Sequence, residues 1–302
     1  MQHEAALLFI HAQTALHPGS GTALGTVDLP VQRERHTHWP VIPGSTLKGI
    51  LRGVCRPQDE NNAAREDWLA AFGPEIAEAD KHAGALILAD ARILAFPVRS
   101  IKGVFAWGTC PAVLERLCRD LTLTDYINGL PFPAGPAKNR VLCRSDSPLL
   151  LDGNKLVLEE FEFERAGEAD ALTDWIAKRA FGEEDKFTPE RFRNHLVVLH
   201  DDDFTHFVRH ATEVVARVAL DYERKTVKRK ALFYEEFLPA ESLFYSIVLA
   251  NPSRRDGHSK SALGMLAYLQ KNTPSVLQIG GNESIGKGLC VVRFHVGEEA
   301  GR

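Results

Sequence analysis

Hydrophobic and polar positions along the chain alternate between short apolar runs and helix-spaced stripes. AALLFIHAQT at 5–14 is nearly continuous in apolar residues and predicts a first strand, followed by a long irregular stretch over 17–43. Leu47, Ile50, Leu51 and Val54 then recur at three- and four-residue spacing, which predicts a helix from Ser45, read as its N-cap, to about Arg56. REDWLAAFG and PAVLERLCRDL read as further helices, and GALILADARILAFPVR at 84–99 as one long strand or a hairpin. The middle, about 122–200, has a weaker pattern. It carries helices at ADALTDWIAKRAF and TPERFRNHL and reads as an insertion packed on the main sheet. Two β-rich arms around a polar turn at 213–237 predict a hairpin, LFYSIVLA a strand, SALGMLAYLQK a helix and LCVVRFHV a closing strand. This order predicts an α+β class with a ferredoxin-like, RNA-recognition-type sheet carrying insertions.

Composition narrows the picture only a little. A chain of 302 residues, 44% hydrophobic and 25% charged, is long enough to bury a sizeable core. No apolar stretch reaches the roughly 18 residues of a membrane span, and MQHEAALLF lacks the regions of a signal peptide, so a cytoplasmic protein with no membrane partner is expected. Five cysteines without a CxxC pair indicate buried, inert thiols rather than a zinc site or a disulfide framework. The net charge of −4 argues against a generic nucleic-acid binder. Positive charge is nevertheless local, at RER (33–35), at Lys48, Arg52 and Arg56, and at ERKTVKRK (223–230).

Lys48, Arg52 and Arg56 recur every four residues and so share one helix face, expected to be exposed and basic; Gly49 and Gly53 lie beside it. Pro43-Gly44-Ser45 would offer free amide hydrogens at the positive end of the helix dipole, a ready site for phosphate. An ordinary amphipathic surface helix is the alternative. GGNESIGKG at 280–288 contains the first seven positions of a P-loop, but Gly288 stands where Ser or Thr would bind magnesium and a strand follows where a helix is needed. A nucleotide-hydrolysing site is therefore excluded. Such a glycine-rich loop either lets a sugar-phosphate backbone approach or forms a tight turn between core strands.

These motifs carry a resemblance. IPGSTLKGILR and GGNESIGKG resemble the N-terminal helix and C-terminal glycine loop of RAMP-superfamily proteins of CRISPR effector complexes. HPGSG at 17–21, GTVDLPVQRE at 25–34 and the stretch 201–239 are similar, more narrowly, to the repeated backbone subunit of the type III-B Cmr complex; 100–200 carries little beyond a general similarity. The resemblance implies one RAMP domain, with a palm over about 1–121 and 240–302 and an insertion and β-hairpin thumb over about 122–239. It implies as partners a CRISPR RNA, a complementary target RNA, further copies head to tail and the other Cmr subunits. Ser45, Lys48, Arg52, Gly280, Gly281, Gly286, Lys287 and Gly288, with Lys225, Lys228 and Arg229 of the hairpin, are the candidate RNA contacts.

The resemblance also implies that Asp28, in GTVDLPVQRE, acts in cutting target RNA, either helping to hold a hydrated Mg²⁺ or another divalent metal or orienting a ribose 2′-hydroxyl. His17 is a candidate acid or base, or else a phosphate contact or turn residue. Glu235 and Glu236 are weaker candidates, with solvated glutamates as the ordinary reading, and Asp203 of HDDDFTHF is a helix cap rather than a metal ligand. ERKTVKRK is either the solvated tip of the hairpin or part of a wedge that enters the guide-target duplex and displaces a base pair; the wedge could equally lie within 122–200. Three functions follow as alternatives: a guide-binding subunit that cleaves target RNA with a metal, a non-catalytic RNA-binding subunit, and an RNase that processes CRISPR transcripts. If the stripe meets guide phosphates, changing Lys48 and Arg52 together to Ala weakens RNA binding and flattens its salt dependence; unchanged affinity and slope remove the assignment.

Overall fold

The computed structural model describes residues 3–58, 62–123, 129–220, 223–224 and 227–296. In chain order its strands are β1 (Glu4–Ala12), β2 (Val41–Ile42), β3 (Leu86–Leu88), β4 (Ala91–Arg99), β5 (Phe105–Thr109), β6 (Arg140–Leu142), β7 (Lys155–Leu158), β8 (Phe161–Gly167), β9 (Leu196–Leu199), β10 (Glu213–Leu220), β11 (Val227–Phe237), β12 (Leu243–Ala250), β13 (Val276–Gln278) and β14 (Leu289–Val296). The helices are α1 (Gly44–Val54), α2 (Asn62–Phe72), α3 (Pro111–Leu123), α4 (Asp170–Ala180), α5 (Thr188–His195), α6 (Asp201–His210) and α7 (Ala262–Asn272).

The apolar run at the N-terminus becomes β1, buried at every position from Ala6 to Ala12. Successive side chains of a strand point to opposite faces, so both faces of β1 are covered, and α7 and α4 both pack on it. Around it the order β14-β1-β12-β4 is antiparallel throughout. In sequence α1 falls between β1 and β4, and α7 between β12 and β14. The sheet continues through β5, which pairs antiparallel with β4 and parallel with β9, to β6, β8 and β7, so strands from the middle of the chain extend the same sheet. The class is mixed α+β.

The apolar stretch 84–99 is an interrupted strand and not a hairpin, since β3 and β4 both pair antiparallel with β12. The break at Ala89-Asp90 has a use: Asp90 Oδ1 accepts the Gly44 amide at 2.7 Å. This corrects the reading of α1. Pro43 is the N-cap, Ser45 lies exposed inside the first turn with no capping bond, and the Gly44 amide is already satisfied by a carboxylate brought from another element. A second cap also moves. His200 caps α6 by accepting the Asp202 amide, and Asp203 instead accepts the Asn139 amide at 3.1 Å.

The basic stripe is likewise less open than its spacing implies. Arg52 donates to the carbonyls of Gly73 at 2.8 Å and Pro74 at 3.0 Å, and its guanidinium lies 4.3 Å from the centre of the Trp68 ring. Lys48 donates to the Leu86 carbonyl at 3.3 Å, and partial burial together with the Arg52 charge pushes its ammonium pKa down. These cations fasten α1 to α2 and β3. The side of α1 left open carries Ser45, Gly49 and Gly53.

The predicted hairpin is present as a separate two-stranded sheet of β10 and β11, with Val214 paired to Glu236 and Arg217 to Phe233. Its arms expose Val214, Val218, Leu232 and Tyr234. Lys228 and Arg229 fall on β11, and Lys225 lies outside the described residues. Four cysteines are buried and Cys118 is half-buried, all as free thiols; burial pushes Cys143 up to about 11 and Cys290 to about 12. Among the described residues no helix is long and apolar enough to cross a membrane. Because Arg52 closes two backbone carbonyls and stacks on Trp68, Arg52→Ala lowers unfolding stability by about 1–3 kcal/mol, read from urea denaturation; an unchanged midpoint would return Arg52 to the solvent-facing stripe.

Candidate RNA-binding and cleavage site

The site is organised along one backbone edge of β11. β10 occupies the other edge. On the free edge the Asp28 and Leu29 amides both donate to the Tyr234 carbonyl, at 3.1 and 3.0 Å, and the Tyr234 amide donates to Asp28 Oδ2 at 2.7 Å. Two residues on, the Glu236 amide donates to the Leu29 carbonyl and the Glu236 carbonyl accepts His17 Nδ1 at 2.6 Å. Leu16 and Leu238 complete the seam by exchanging two bonds of 2.8 Å each. Asp28 and His17, 11 positions apart in sequence, are thus tied to backbone groups only two residues, about 7 Å, apart along β11. A carbonyl can only accept, so His17 Nδ1 carries a proton and Nε2 is the nitrogen left to exchange one. Asp28 has one oxygen anchored, and Oδ1 has no partner among the described residues.

The glutamates next to this edge are not solvated, which corrects their ordinary reading. Glu235 and Glu236 are consecutive and project to opposite faces of β11, yet they are only 4% and 7% exposed. Glu236 accepts from Arg33 Nη2 at 2.7 Å, Thr212 Oγ1 at 2.9 Å and the Val31 amide at 3.0 Å. Glu235 accepts from Arg217 Nε at 2.9 Å and Asn282 Nδ2 at 2.5 Å, and its Oε1 stands 3.7 Å from His17 Nε2. A buried carboxylate holds its charge only when donors surround it, and here the donors come from the loop before α1, from β10 and from the glycine loop. Nothing in the local alternation of FYEEF marks both positions as buried. Arg33 was legible only as charge, and Arg217 and Asn282 carried no signal at all.

The glycine loop joins β13 to β14. His17 and Gly280 form a parallel bridge, the Gly281 amide donates to the His17 carbonyl at 2.9 Å, and the Gly288 amide donates to the Ala15 carbonyl at 2.9 Å. Two of its glycines are required, one by this contact and one by the loop's own closure. Gly280 has φ +82° and a Cβ there would fall 2.2 Å from the His17 carbonyl oxygen, while at Gly288, φ +74°, it would fall 2.1 Å from the Ile279 carbonyl oxygen. Gly286, also at positive φ, lies at the exposed tip. The Lys287 ammonium sits 5.1 Å from the centre of the buried Phe237 ring.

Three of the sequence motifs meet in one cleft of about 360 Å³. Pro18 and Gly19 of HPGSG, Pro43, Thr46 and Ile50 of the α1 motif, and Gly280 and Gly281 of the loop line it, with Gln278. Ser45 is exposed on the same helix, whereas Lys48 and Arg52 are engaged with α2 and β3. Among the described residues no group of three or more His, Cys, Asp or Glu side chains could hold a metal ion. The two glutamates are paired with arginines, so among the described residues Asp28 Oδ1 is the carboxylate oxygen that this edge leaves for a divalent cation, and His17 Nε2, with Nδ1 engaged as a donor, is the nitrogen beside it.

An α+β sheet whose glycine loop and PGS helix flank a common cleft defines a class. The family model of the RAMP superfamily matches residues 9–291, and the chain belongs to that family. Its relatives are particular. It is 38% identical, over 96% of its own length and 95% of the relative's, to the CRISPR system Cmr endoribonuclease Cmr4 of Pyrococcus furiosus. Among solved structures, the crystal structure of oligomeric Cmr4 from Pyrococcus furiosus superposes with a TM-score of 0.73 at 31% identity, covering 97% of this chain and 98% of that one. A chain of the cryo-EM structure of the type III-B Cmr-beta bound to cognate target RNA gives a TM-score of 0.73 at 24% identity, covering 96% of each chain, and shares the fold.

The ring of donors around Glu236 makes a stability prediction. Glu236→Ala leaves the Arg33 guanidinium without its carboxylate, and unfolding stability falls by about 3–5 kcal/mol in urea denaturation. A loss under about 1 kcal/mol would place the pair with ordinary surface ion pairs.

Proposed function

We propose that this chain is a backbone subunit of a type III-B CRISPR RNA-guided complex that binds the guide RNA, stacks with further copies head to tail and cleaves complementary target RNA through Asp28. The observation that carries the reading is the β11 edge, which anchors Asp28 and His17 to backbone groups two residues apart, with Pro18 and Gly19, next to His17, lining the cleft where the family motifs meet. The Pyrococcus relative supports both halves of it, being named an endoribonuclease and having been crystallised as an oligomer. Ferredoxin-like describes the palm, on the order β14-β1-β12-β4 with α1 and α7 as its crossovers. The chain then divides into a palm over about 1–121 and 240–302 and an inserted region with the β10–β11 thumb over about 122–239.

The cleft, bordered by Ser45 and the loop from Gly280 to Gly288, takes the guide backbone, where an absence of side chains allows close approach of a phosphate. Lys225, Lys228 and Arg229 are the proposed cationic contacts of this segment, and the exposed Val214, Val218, Leu232 and Tyr234 give the thumb an apolar surface on which unstacked bases can rest. Base pairing selects the target, so the protein needs a basic path only locally, consistent with its net charge of −4. Cleavage requires the 2′-hydroxyl to align with the scissile phosphate. Asp28 offers Oδ1 as an acceptor for that hydroxyl while Oδ2 stays on the Tyr234 amide, and His17 Nε2 handles a proton. A divalent cation, if used, has Asp28 Oδ1 as its protein ligand, with water and phosphate oxygens supplying the rest and the ion neutralising developing charge.

One observation favours a second reading, a non-catalytic backbone subunit: the Asp28 carboxylate is itself part of the seam with β11. Asp28→Asn separates the two, because the amide oxygen still accepts from Tyr234. In a complex reconstituted with guide RNA and labelled complementary target, with Mg²⁺ or EDTA, assembly and target affinity stay near wild type while single-turnover cleavage falls by at least about 10². Full cleavage by the variant refutes the catalytic role, failure to assemble favours the structural one, and undiminished cutting in EDTA removes the metal.

A further inference from the structure

Asn282 sits at the start of the glycine loop with φ +67°, in the left-handed region. Its side chain leaves the loop for the base of the thumb, where Nδ2 donates to Glu235 Oε1 at 2.5 Å and Oδ1 accepts Arg217 Nη2 at 3.3 Å. Arg217 Nε holds the other Glu235 oxygen at 2.9 Å, so three side chains from three segments close a ring. The oxygen bound by Asn282 is the one that faces His17 Nε2 at 3.7 Å. Arg217 alone fixes one end of that carboxylate. Asn282 fixes the other, and with it the distance between Oε1 and the proton-exchanging nitrogen.

The loop makes a second attachment to the same histidine through its main chain, by the Gly281 amide on the His17 carbonyl. The two contacts approach His17 from opposite ends, one at its backbone and one opposite its Nε2. We propose that Asn282 is a positioning residue: it couples the seating of the glycine loop in the cleft to the placement of Glu235 against His17, so that cleavage demands a correctly seated loop. Asn282 acts through Glu235 and touches no reacting atom. The inference rests on the cleavage function proposed above.

The substitution that tests it is Asn282→Gly, since glycine keeps the positive φ and removes only the carboxamide, whereas alanine would add backbone strain. It is measured in the reconstituted complex beside Glu235→Gln, the double variant and Asp28→Asn. Asn282→Gly slows single-turnover cleavage about tenfold with target affinity within about twofold, and on the Glu235→Gln background it adds less than about twofold, because both changes disturb one unit. A wild-type rate, a loss that multiplies with that of Glu235→Gln, a Glu235→Gln complex that cuts at full speed, or a fall in affinity matching the fall in rate each overturns it. Asp28→Asn separates the two levels. If that variant is inactive and Asn282→Gly is not impaired, only the coupling fails; if Asp28→Asn cuts normally, the cleavage assignment itself fails.

Discussion

Two consecutive carboxylates removed from water at the root of a hairpin set the terms for everything around them. Glu235 and Glu236 lie on opposite faces of β11, so no single neighbour can satisfy both. A charge buried without donors costs several kcal/mol, and the chain meets this by bringing Arg33 and the Val31 amide to one face and Arg217 and Asn282 to the other. The loop carrying Asp28, the loop carrying His17 and the glycine loop are thereby drawn to one strand. The candidate chemistry is a by-product of where those donors must stand.

The large sheet supplies the rigid body to which this arrangement is attached. β1 is buried on both faces and joins β14 and β12, and the irregular segment after it passes directly along β11. The same economy of partners shapes α1. Its cations are spent on carbonyls and an indole ring of the protein, its first amide on Asp90, and the surface it leaves beside the cleft is small and uncharged. Under the proposed function, close approach by an RNA backbone there would rely on the absence of side chains more than on salt bridges.

Much of this was legible in advance. The helices at 169–181 and 188–196, the hairpin at 213–237 and the closing strand follow from period and turn chemistry, which are local properties, and three motifs that the sequence singled out, HPGSG, the PGS helix and the glycine loop, line one cleft. Ser45 was misplaced as a cap because its competitor, Asp90, stands 46 residues from the Gly44 amide it holds and enters only through a break in a strand. Lys48 and Arg52 were misjudged as free because helical spacing tells which residues share a face and not what that face meets.

By itself the sequence determined the periodic elements and the family, since each of these depends on residues near one another in the chain or on a motif read as text. Only the tertiary structure decided that Glu235 and Glu236 are buried, that His17 must hold its proton on Nδ1, and that Asn282 and Arg217 belong to the same ring. Those facts depend on donors and acceptors supplied across separations of up to 219 residues, as between His17 and Glu236. A hydrogen bond records where two groups stand in space, and no periodicity along the chain encodes that.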